Sequence, residues 1–184
     1  GASVVMTSAQ FNAGFSLYTV LSGAGALTVN MSPADYEFAM VSVSGSGVTV
    51  TINGSTGEDV IKGMVNAATI INGGDGDDLV RGGSQSDTIN GGNGDDKIIG
   101  AMGADILTGG AGNDLFRFAD ITHAGTGAAA DTVTDFTSGQ DKLVFQAIDP
   151  NPVAPGDQAF AFIGTGAFTG LGTAEIRYGN SGGN

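Results

Sequence analysis

A nine-residue period runs through the middle of the chain and limits what the chain can fold into. From Gly73 to Arg117 the sequence reads as five consecutive blocks: GGDGDDLVR, GGSQSDTIN, GGNGDDKII, GAMGADILT and GGAGNDLFR. Two weaker blocks precede them, namely GSTGEDVIK from Gly54 and the ten-residue GMVNAATIIN from Gly63. Each regular block has an aspartate at its sixth position and an apolar residue at its eighth. One apolar residue per block cannot form the stripe of an amphipathic helix, which needs about three in every two turns.

The eighth position of each block predicts the middle of a three-residue strand whose side chain points inward. These positions are Ile61, Ile71, Val80, Ile89, Ile98, Leu107 and Phe116. The other six residues of a block form a turn, where glycine permits positive φ values. Two blocks complete one coil, and successive coils pair in parallel at roughly 4.8 Å. We therefore predict an all-β fold, a right-handed parallel β-roll (β-solenoid) with β-rich capping segments.

Charge and composition limit the partners of this roll. The chain carries 19 acidic and 6 basic residues, a formal charge of -13, so the phosphates of nucleic acid and anionic membranes are poor partners. The absence of cysteine excludes disulfides and thiolate metal sites. We expect no transmembrane segment, because no run of about 18 apolar residues exists. The excess of carboxylates favours hard cations.

The blocks resemble GGxGxDxUx, the calcium-binding nonapeptide of the RTX (repeats-in-toxin) family. The resemblance is strong over residues 54–117, and the segments DTVTDFTSGQDKLVF (131–145) and QAFAFIGTGAF (158–168) resemble the C-terminal cap region of serralysin-type proteases. We expect an N-terminal β-rich cap over 1–44, an RTX β-roll over 45–117 with its strongest repeats in 73–117, and a C-terminal β-rich cap over 118–184. We expect this last cap to be truncated.

The resemblance implies that each calcium ion lies between neighbouring turns on one edge of the roll, and that an interior aspartate serves two ions. Turns on one edge come from alternate blocks, so we define a first edge with Asp59, Asp78, Asp96 and Asp114, and a second edge with Asp87 and Asp105. Calcium takes six to eight oxygen ligands, including backbone carbonyls. The resemblance therefore implies between three and five Ca2+ ions.

The implied ligand sets combine carbonyls of one turn with carbonyls of the next and the two aspartates. On the first edge the sets are Gly74, Gly76 and Asp78 with Gly91, Asn93 and Asp96; Gly92, Gly94 and Asp96 with Gly109, Ala111 and Asp114; and Ser55, Gly57 and Asp59 with Gly73, Asp75 and Asp78. On the second edge the set is Gly83, Gln85 and Asp87 with Gly100, Met102 and Asp105.

Departures from the repeat pattern rank these sites. Gln85 and Ala101 stand where the second edge should have turn glycines, so we expect the second-edge site to be weaker. The extra residue of the block at Gly63 is expected to disturb the register of the Asp59 set. Asp131, Asp135 and Asp141 have two interpretations: they cap the last turns, with one of them contributing to a terminal ion, or they are solvated turn residues.

Calcium binding is expected to be coupled to folding, because stacked carboxylates repel one another. At about 5 Å and an effective dielectric near 20, each adjacent pair costs about 3 kcal/mol, against a net domain stability of about 5–15 kcal/mol. An ion that neutralises the stack supplies the missing free energy. The sequence thus predicts a calcium-binding module that folds on binding Ca2+.

We expect no enzymatic activity. His123 is the only histidine and lies in a loose Ala/Gly-rich segment, and the sequence has no GxxxxGK[ST] loop. The resemblance implies that the module is part of a bacterial protein exported by a type I secretion apparatus, to the extracellular space or the cell surface. Two alternatives stay open: an accessory C-terminal domain of a secreted hydrolase or epimerase, and a surface-layer or adhesin module with self-association or cell-surface contacts.

Overall fold

The computed structural model describes residues 3–7, 26–31, 37–39, 47–118, 130–145, 161–164 and 175–177, and these residues contain strands and turns but no helix. The strands are β1 (Ser3–Thr7), β2 (Ala26–Asn30), β3 (Glu37–Ala39), β4 (Thr49–Asn53), β5 (Val60–Lys62), β6 (Thr69–Asp75), β7 (Leu79–Arg81), β8 (Thr88–Asn93), β9 (Lys97–Ile99), β10 (Ile106–Ala111), β11 (Leu115–Phe118), β12 (Thr132–Val133), β13 (Lys142–Phe145), β14 (Ala161–Gly164) and β15 (Glu175–Arg177). Gly1–Gln146 and Ala147–Asn184 are separate compact units. In the second unit, β14 pairs in parallel with β15.

Two parallel sheets form the first unit. A seven-stranded sheet has the order β1-β2-β4-β6-β8-β10-β12, and a six-stranded sheet has the order β13-β11-β9-β7-β5-β3. From β4 onward, consecutive strands alternate between the two sheets, so one strand of each sheet and the turns between them make one coil. This arrangement confirms the predicted all-β parallel β-roll.

The apolar eighth positions form the core of the roll. Ile71 pairs with Ile89 and Ile89 with Leu107 in one sheet, while Val80 pairs with Ile98 and Ile98 with Phe116 in the other. All seven predicted core side chains are at most 1% exposed. Single inward residues therefore stack into two continuous apolar columns, as the repeat predicts.

The extra residue of the block at Gly63 leaves the strand register intact. Ile61 pairs with Val80 and Ile52 with Ile71, although each pair is one residue further apart in the sequence than the regular coils are. The extra residue is accommodated in the turn before β6, where Met64 is buried and its N–H donates to Oγ1 of Thr69 at 3.1 Å.

The sheets extend past residues 45–117 at both ends. Strands β1 and β2 continue the seven-stranded sheet through parallel pairing with β4. After Phe118, β12 pairs with β10 and β13 pairs with β11, and the rings of Phe118 and Phe145 stack with centroids 5.3 Å apart. The predicted division into a roll and two caps stays a prediction.

Candidate metal centre

The aspartates of the first edge form a ladder through the main chain. The N–H of each aspartate donates to Oδ1 of the aspartate one coil later: Asp59 to Asp78 at 2.8 Å, Asp78 to Asp96 at 2.9 Å, and Asp96 to Asp114 at 3.0 Å. All four carboxylates are buried, at 1–2% exposure. The period alone placed these residues on one edge, and the structure stacks them there.

Each of these four carboxylates keeps one buried oxygen without a hydrogen-bond partner: Oδ1 on Asp59, which begins the ladder, and Oδ2 on the other three. Oδ2 of Asp78, Asp96 and Asp114 is buried and accepts no hydrogen bond. A buried anionic oxygen without a donor is costly unless a cation compensates it. These three oxygens therefore fit a cation held by the first-edge turns.

Glycine at the first position of these turns makes room for the carboxylate. A Cβ atom on Gly73, Gly91 or Gly109 would collide with the side-chain Oδ2 of the aspartate five residues later. Because the unpartnered oxygen occupies the space of a missing side chain, the turn holds the oxygen close to the main chain, where carbonyl ligands are also available.

Alternating glycines give these turns their shape. Positive φ values occur at Gly74 and Gly76, at Gly92 and Gly94, and at Gly110 and Gly112. Gly74 pairs with Gly92, and Gly92 with Gly110, so equivalent turn residues stack coil upon coil. L-residues avoid this backbone region, which explains the glycine at the second and fourth positions.

The implied carbonyl ligands of neighbouring turns also lie side by side. Gly76 N–H donates to the Asn93 carbonyl and Gly94 N–H to the Ala111 carbonyl, both at 2.8 Å, and Asp75 N–H donates to the Ser55 carbonyl at 3.1 Å. In the described part of the chain, no three His, Cys, Asp or Glu side chains converge on one point. A metal site here must therefore take most of its ligands from main-chain carbonyls, as calcium permits.

Burial raises the pKa of the ladder carboxyls. The pKa of Asp78 rises to about 7 and that of Asp96 to about 6, chiefly because burial desolvates the charged form, and the neighbouring ladder aspartates raise both further. The pKa of Asp114 is raised for the same reason, with repulsion from Asp141 adding to it. The metal-free ladder thus resists ionisation.

The aspartates of the second edge form the same main-chain ladder through Oδ1, but Oδ2 of Asp87 differs from Oδ2 of Asp78 and Asp96. Thr69 N–H donates to Oδ1 of Asp87 at 2.7 Å, and Asp87 N–H donates to Oδ1 of Asp105 at 2.8 Å. Oδ2 of Asp87, however, accepts the N–H of Gly83 at 2.5 Å. Both Asp87 oxygens therefore have protein donors, in contrast to Asp78 and Asp96.

The turns of the second edge also differ in their backbone. No residue of 82–87, which includes Gln85, has a positive φ. In the turn 100–105, Gly103 has a positive φ, and Ala101 adopts φ 76° at the position where the first edge has glycine. The Met102 N–H donates to the Gly83 carbonyl at 3.2 Å, so the two turns of the predicted second-edge site are adjacent.

Three aspartates beyond the last regular block continue or close these ladders. Asp105 N–H donates to Oδ1 of Asp131, and Asp114 N–H donates to Oδ1 of Asp141, both at 3.0 Å. Asp135 accepts the N–H groups of Gly109 at 2.9 Å and Gly110 at 2.8 Å. The structure thus supports the capping interpretation of these residues, while a role as calcium ligands stays a prediction.

Asp131 resembles the ladder aspartates in its environment. Its Oδ2 is buried without a hydrogen-bond partner, and desolvation raises its pKa to about 7. The period alone did not place it, because 26 residues separate it from Asp105. A local sequence pattern, Asp-x-apolar, could have identified it. Asp131-Thr132-Val133 and Asp141-Lys142-Leu143 share this pattern with the repeats.

Comparison with known families agrees with this geometry. The profile of the RTX calcium-binding nonapeptide repeat (4 copies) matches residues 70–89 and 81–116. No curated protein matches the chain. None of the described residues forms a helix long and apolar enough to cross a membrane. Residues 70–116 therefore carry RTX calcium-binding nonapeptide repeats, and the β-roll that they build is a calcium-binding repeat module.

Proposed function

We propose that the first edge binds calcium between successive turns, and that this binding drives folding of the roll. The observation that carries the proposal is the buried, unpartnered Oδ2 in three consecutive turns, on Asp78, Asp96 and Asp114. The two strongest sites lie between turns 73–78 and 91–96 and between turns 91–96 and 109–114. Asp96 belongs to both sites.

The other two predicted sites are weaker for reasons visible in their turns. Oδ2 of Asp59 accepts the Ser55 N–H at 2.6 Å, and Oδ2 of Asp87 accepts the Gly83 N–H. A cation at either site must compete with a hydrogen bond that already satisfies the oxygen. Neither turn 54–59 nor turn 82–87 has a residue with positive φ.

Coupling to folding follows from the cost of the metal-free state. Three carboxyls in a row on the first edge are desolvated and repel one another, which raises their pKa values. The unfolded chain hydrates the same groups freely and keeps the conformational freedom of its 33 glycines. A cation that binds only the folded turns stabilises them by mass action.

Calorimetric titration with calcium, followed in parallel by circular dichroism, tests the proposal. We expect uptake of three to five ions together with a gain of β signal, and a much weaker response to magnesium, which keeps its waters. A full β spectrum in chelator would refute the coupling to folding. Absence of calcium uptake by a folded chain would refute the sites themselves.

We also propose that the module belongs to a secreted bacterial protein exported by a type I apparatus. Extracellular calcium modules work at dissociation constants of about 10⁻⁴–10⁻³ M, and a chain that folds only at such concentrations stays unfolded in the cytoplasm. Export of the full-length protein from cells with and without the exporter tests this context. Equal export from both strains would contradict it.

The roll is a structural calcium-binding module rather than a catalytic one, and we infer that the whole chain has no enzymatic activity. His123 lies outside the described residues. Hydrolase assays on the calcium-loaded chain and on His123→Ala test the inference. Turnover by the wild-type chain that the substitution abolishes would overturn it.

A further inference from the structure

Two rows of outward side chains cross six strands of the seven-stranded sheet. The inner row follows the strand pairing through Thr28, Thr51, Ile70, Thr88, Ile106 and Thr132. The outer row follows the same pairing through Asn30, Asn53, Asn72, Asn90 and Thr108, and a side-chain hydrogen bond adds Thr134. We call these twelve residues the Thr/Asn face. None of them is buried.

The Thr/Asn face has no charged residue, although the chain has a net charge of -13. Five of the six basic residues point outward from strands of the six-stranded sheet: Lys62, Arg81, Lys97, Arg117 and Lys142. The ladder aspartates are confined to the turns. Charge is thus segregated by face, and the Thr/Asn face offers hydrogen bonds without ionic contacts, which favours an uncharged partner.

Hydrogen bonds between equivalent residues fix the positions of the side chains on the outer row. Asn53 Nδ2 donates to Asn30 Oδ1 and Asn72 Nδ2 donates to Asn53 Oδ1, both at 2.7 Å. Oγ1 of Thr108 and of Thr134 are 2.8 Å apart. Ladders of this kind hold sheets flat, and polar groups held in place lose little entropy when they bind.

The spacing of these groups is periodic in two directions. Strands repeat every ~4.8 Å across the sheet, and the two rows lie two residues apart along each strand, about 6.6 Å. The inner row has threonine at four of its six positions and the outer row has asparagine at four of six, so a ligand that matches these positions in both directions is a periodic solid. The face offers hydroxyls and amides, which both donate and accept, beside the exposed side chains of Ile70 and Ile106. The twelve residues include no aromatic ring on which a sugar could stack.

We propose that the Thr/Asn face binds crystalline water, so that the folded module adsorbs to ice. Water is uncharged, donates and accepts as these side chains do, and is periodic when frozen. The absence of charged side chains on the face matters, because a charged group orders water around itself and would compete with the ice lattice for those water molecules. The inference rests on the proposed function only in that calcium must keep the roll folded.

Ice recrystallisation in a frozen sucrose solution, followed by microscopy with calcium-loaded protein, provides the test. Asn90→Lys puts a cation in the middle of the face on β8. Ile99→Lys is the matched control, because it changes the same block position on β9 of the other sheet. We expect wild type and Ile99→Lys to inhibit crystal growth equally, and Asn90→Lys to need about tenfold more protein, since its unpaired charge must be desolvated.

Circular dichroism and calcium titration of each variant show whether it is folded and calcium-loaded, which tests the proposed function separately. If the folded, calcium-loaded wild type leaves crystal growth unchanged, ice binding alone is overturned. Equal loss in both lysine variants also overturns it. Sedimentation tests whether a second copy of the chain binds the face, and a pull-down with crystalline polysaccharide tests whether a polysaccharide does. Either a dimer or a polysaccharide complex that Asn90→Lys abolishes, in the absence of any ice effect, assigns the face to that partner instead.

Discussion

The main-chain N–H of Asp78 donates to Oδ1 of Asp96, 2.9 Å away and 18 residues later in the chain. The same carboxylate keeps its Oδ2 buried in the turn without a protein partner. One oxygen of Asp96 therefore joins two coils, and the other is available to a cation. Substitutions that treat the two oxygens differently can separate these roles.

Asp96→Asn should weaken calcium binding while it preserves the ladder. The amide oxygen still accepts the Asp78 N–H, but the negative charge shared by the two strongest sites is lost. We expect the calcium midpoint of folding to rise by about 10- to 100-fold, the range that loss of a supporting group produces at metal sites. Titration followed by circular dichroism measures it.

Two matched variants serve as controls for Asp96→Asn. Asp87→Asn should shift the midpoint less, because it removes charge only from the second-edge site. Since the amide nitrogen of this variant cannot accept the Gly83 N–H, urea unfolding in saturating calcium measures that separate loss. Asp95→Asn should leave the midpoint nearly unchanged, since Asp95 is exposed and contacts Asn113 rather than a turn interior. Equal shifts in all three would mean that overall charge, and not the first-edge sites, controls calcium binding.

The metal-free chain should be more stable at pH 4 than at pH 8. The pKa of Asp78 rises from 3.8 unfolded to about 7 folded, and that of Asp96 from 3.8 to about 6. Below 3.8 both states are protonated and no penalty exists; as pH rises towards 7 the unfolded state ionises first, so stability is lost. Circular dichroism of the calcium-free chain at several pH values measures this effect, as a loss of β signal between pH 4 and pH 8.

With calcium present the pH dependence should reverse. The ion needs ionised carboxylates, so protons compete with it and the calcium midpoint should increase as pH falls through about 7 to 6. Midpoints measured at pH 8 and pH 5.5 check the competition. A midpoint that does not change with pH would indicate that the buried carboxyls are not ligands.

Ala101→Gly should stabilise the roll. Ala101 has φ 76°, a conformation that costs an L-residue roughly 1–2 kcal/mol, whereas glycine adopts it without strain. The greater freedom of glycine in the unfolded chain offsets about 0.4–1 kcal/mol of this gain. We expect a small net increase in the free energy of unfolding in calcium. Ala104→Gly, which lies in the same turn without positive φ, should lower that free energy instead.

Hydrogen exchange in chelator should protect the N-terminal strands of the roll most. Strand β4 buries both Val50 and Ile52, and β2 likewise buries two apolar side chains, whereas β8 and β10 bury one each, Ile89 and Leu107. A strand that buries more apolar area is more stable in the absence of calcium. Amides of β2 and β4 should exchange slowly without calcium, and those of β8 and β10 only with it. Uniform exchange would contradict this gradient.

The period predicted the positions that repeat, and the structure added those that do not. The core positions and the two aspartate edges followed from a strict nine-residue spacing. The last coil was harder to predict, because residues 119–130 interrupt the spacing between Phe118 and Asp131. The amide ladder of Asn30, Asn53 and Asn72 was also missed, because the last position of a block carries no calcium ligand and all three residues precede the strongest repeats.

The alternation of strands between two sheets constrains how such a chain can gain or lose length. Removal of one nine-residue block would transfer every later strand to the opposite sheet, so lysine and arginine would interrupt the Thr/Asn rows and each aspartate would change edges. Removal of two blocks, 18 residues, would leave both surfaces and both ladders in place. Variation among such rolls is therefore expected to proceed in whole coils, with odd lengths absorbed in turns such as the one that contains Met64.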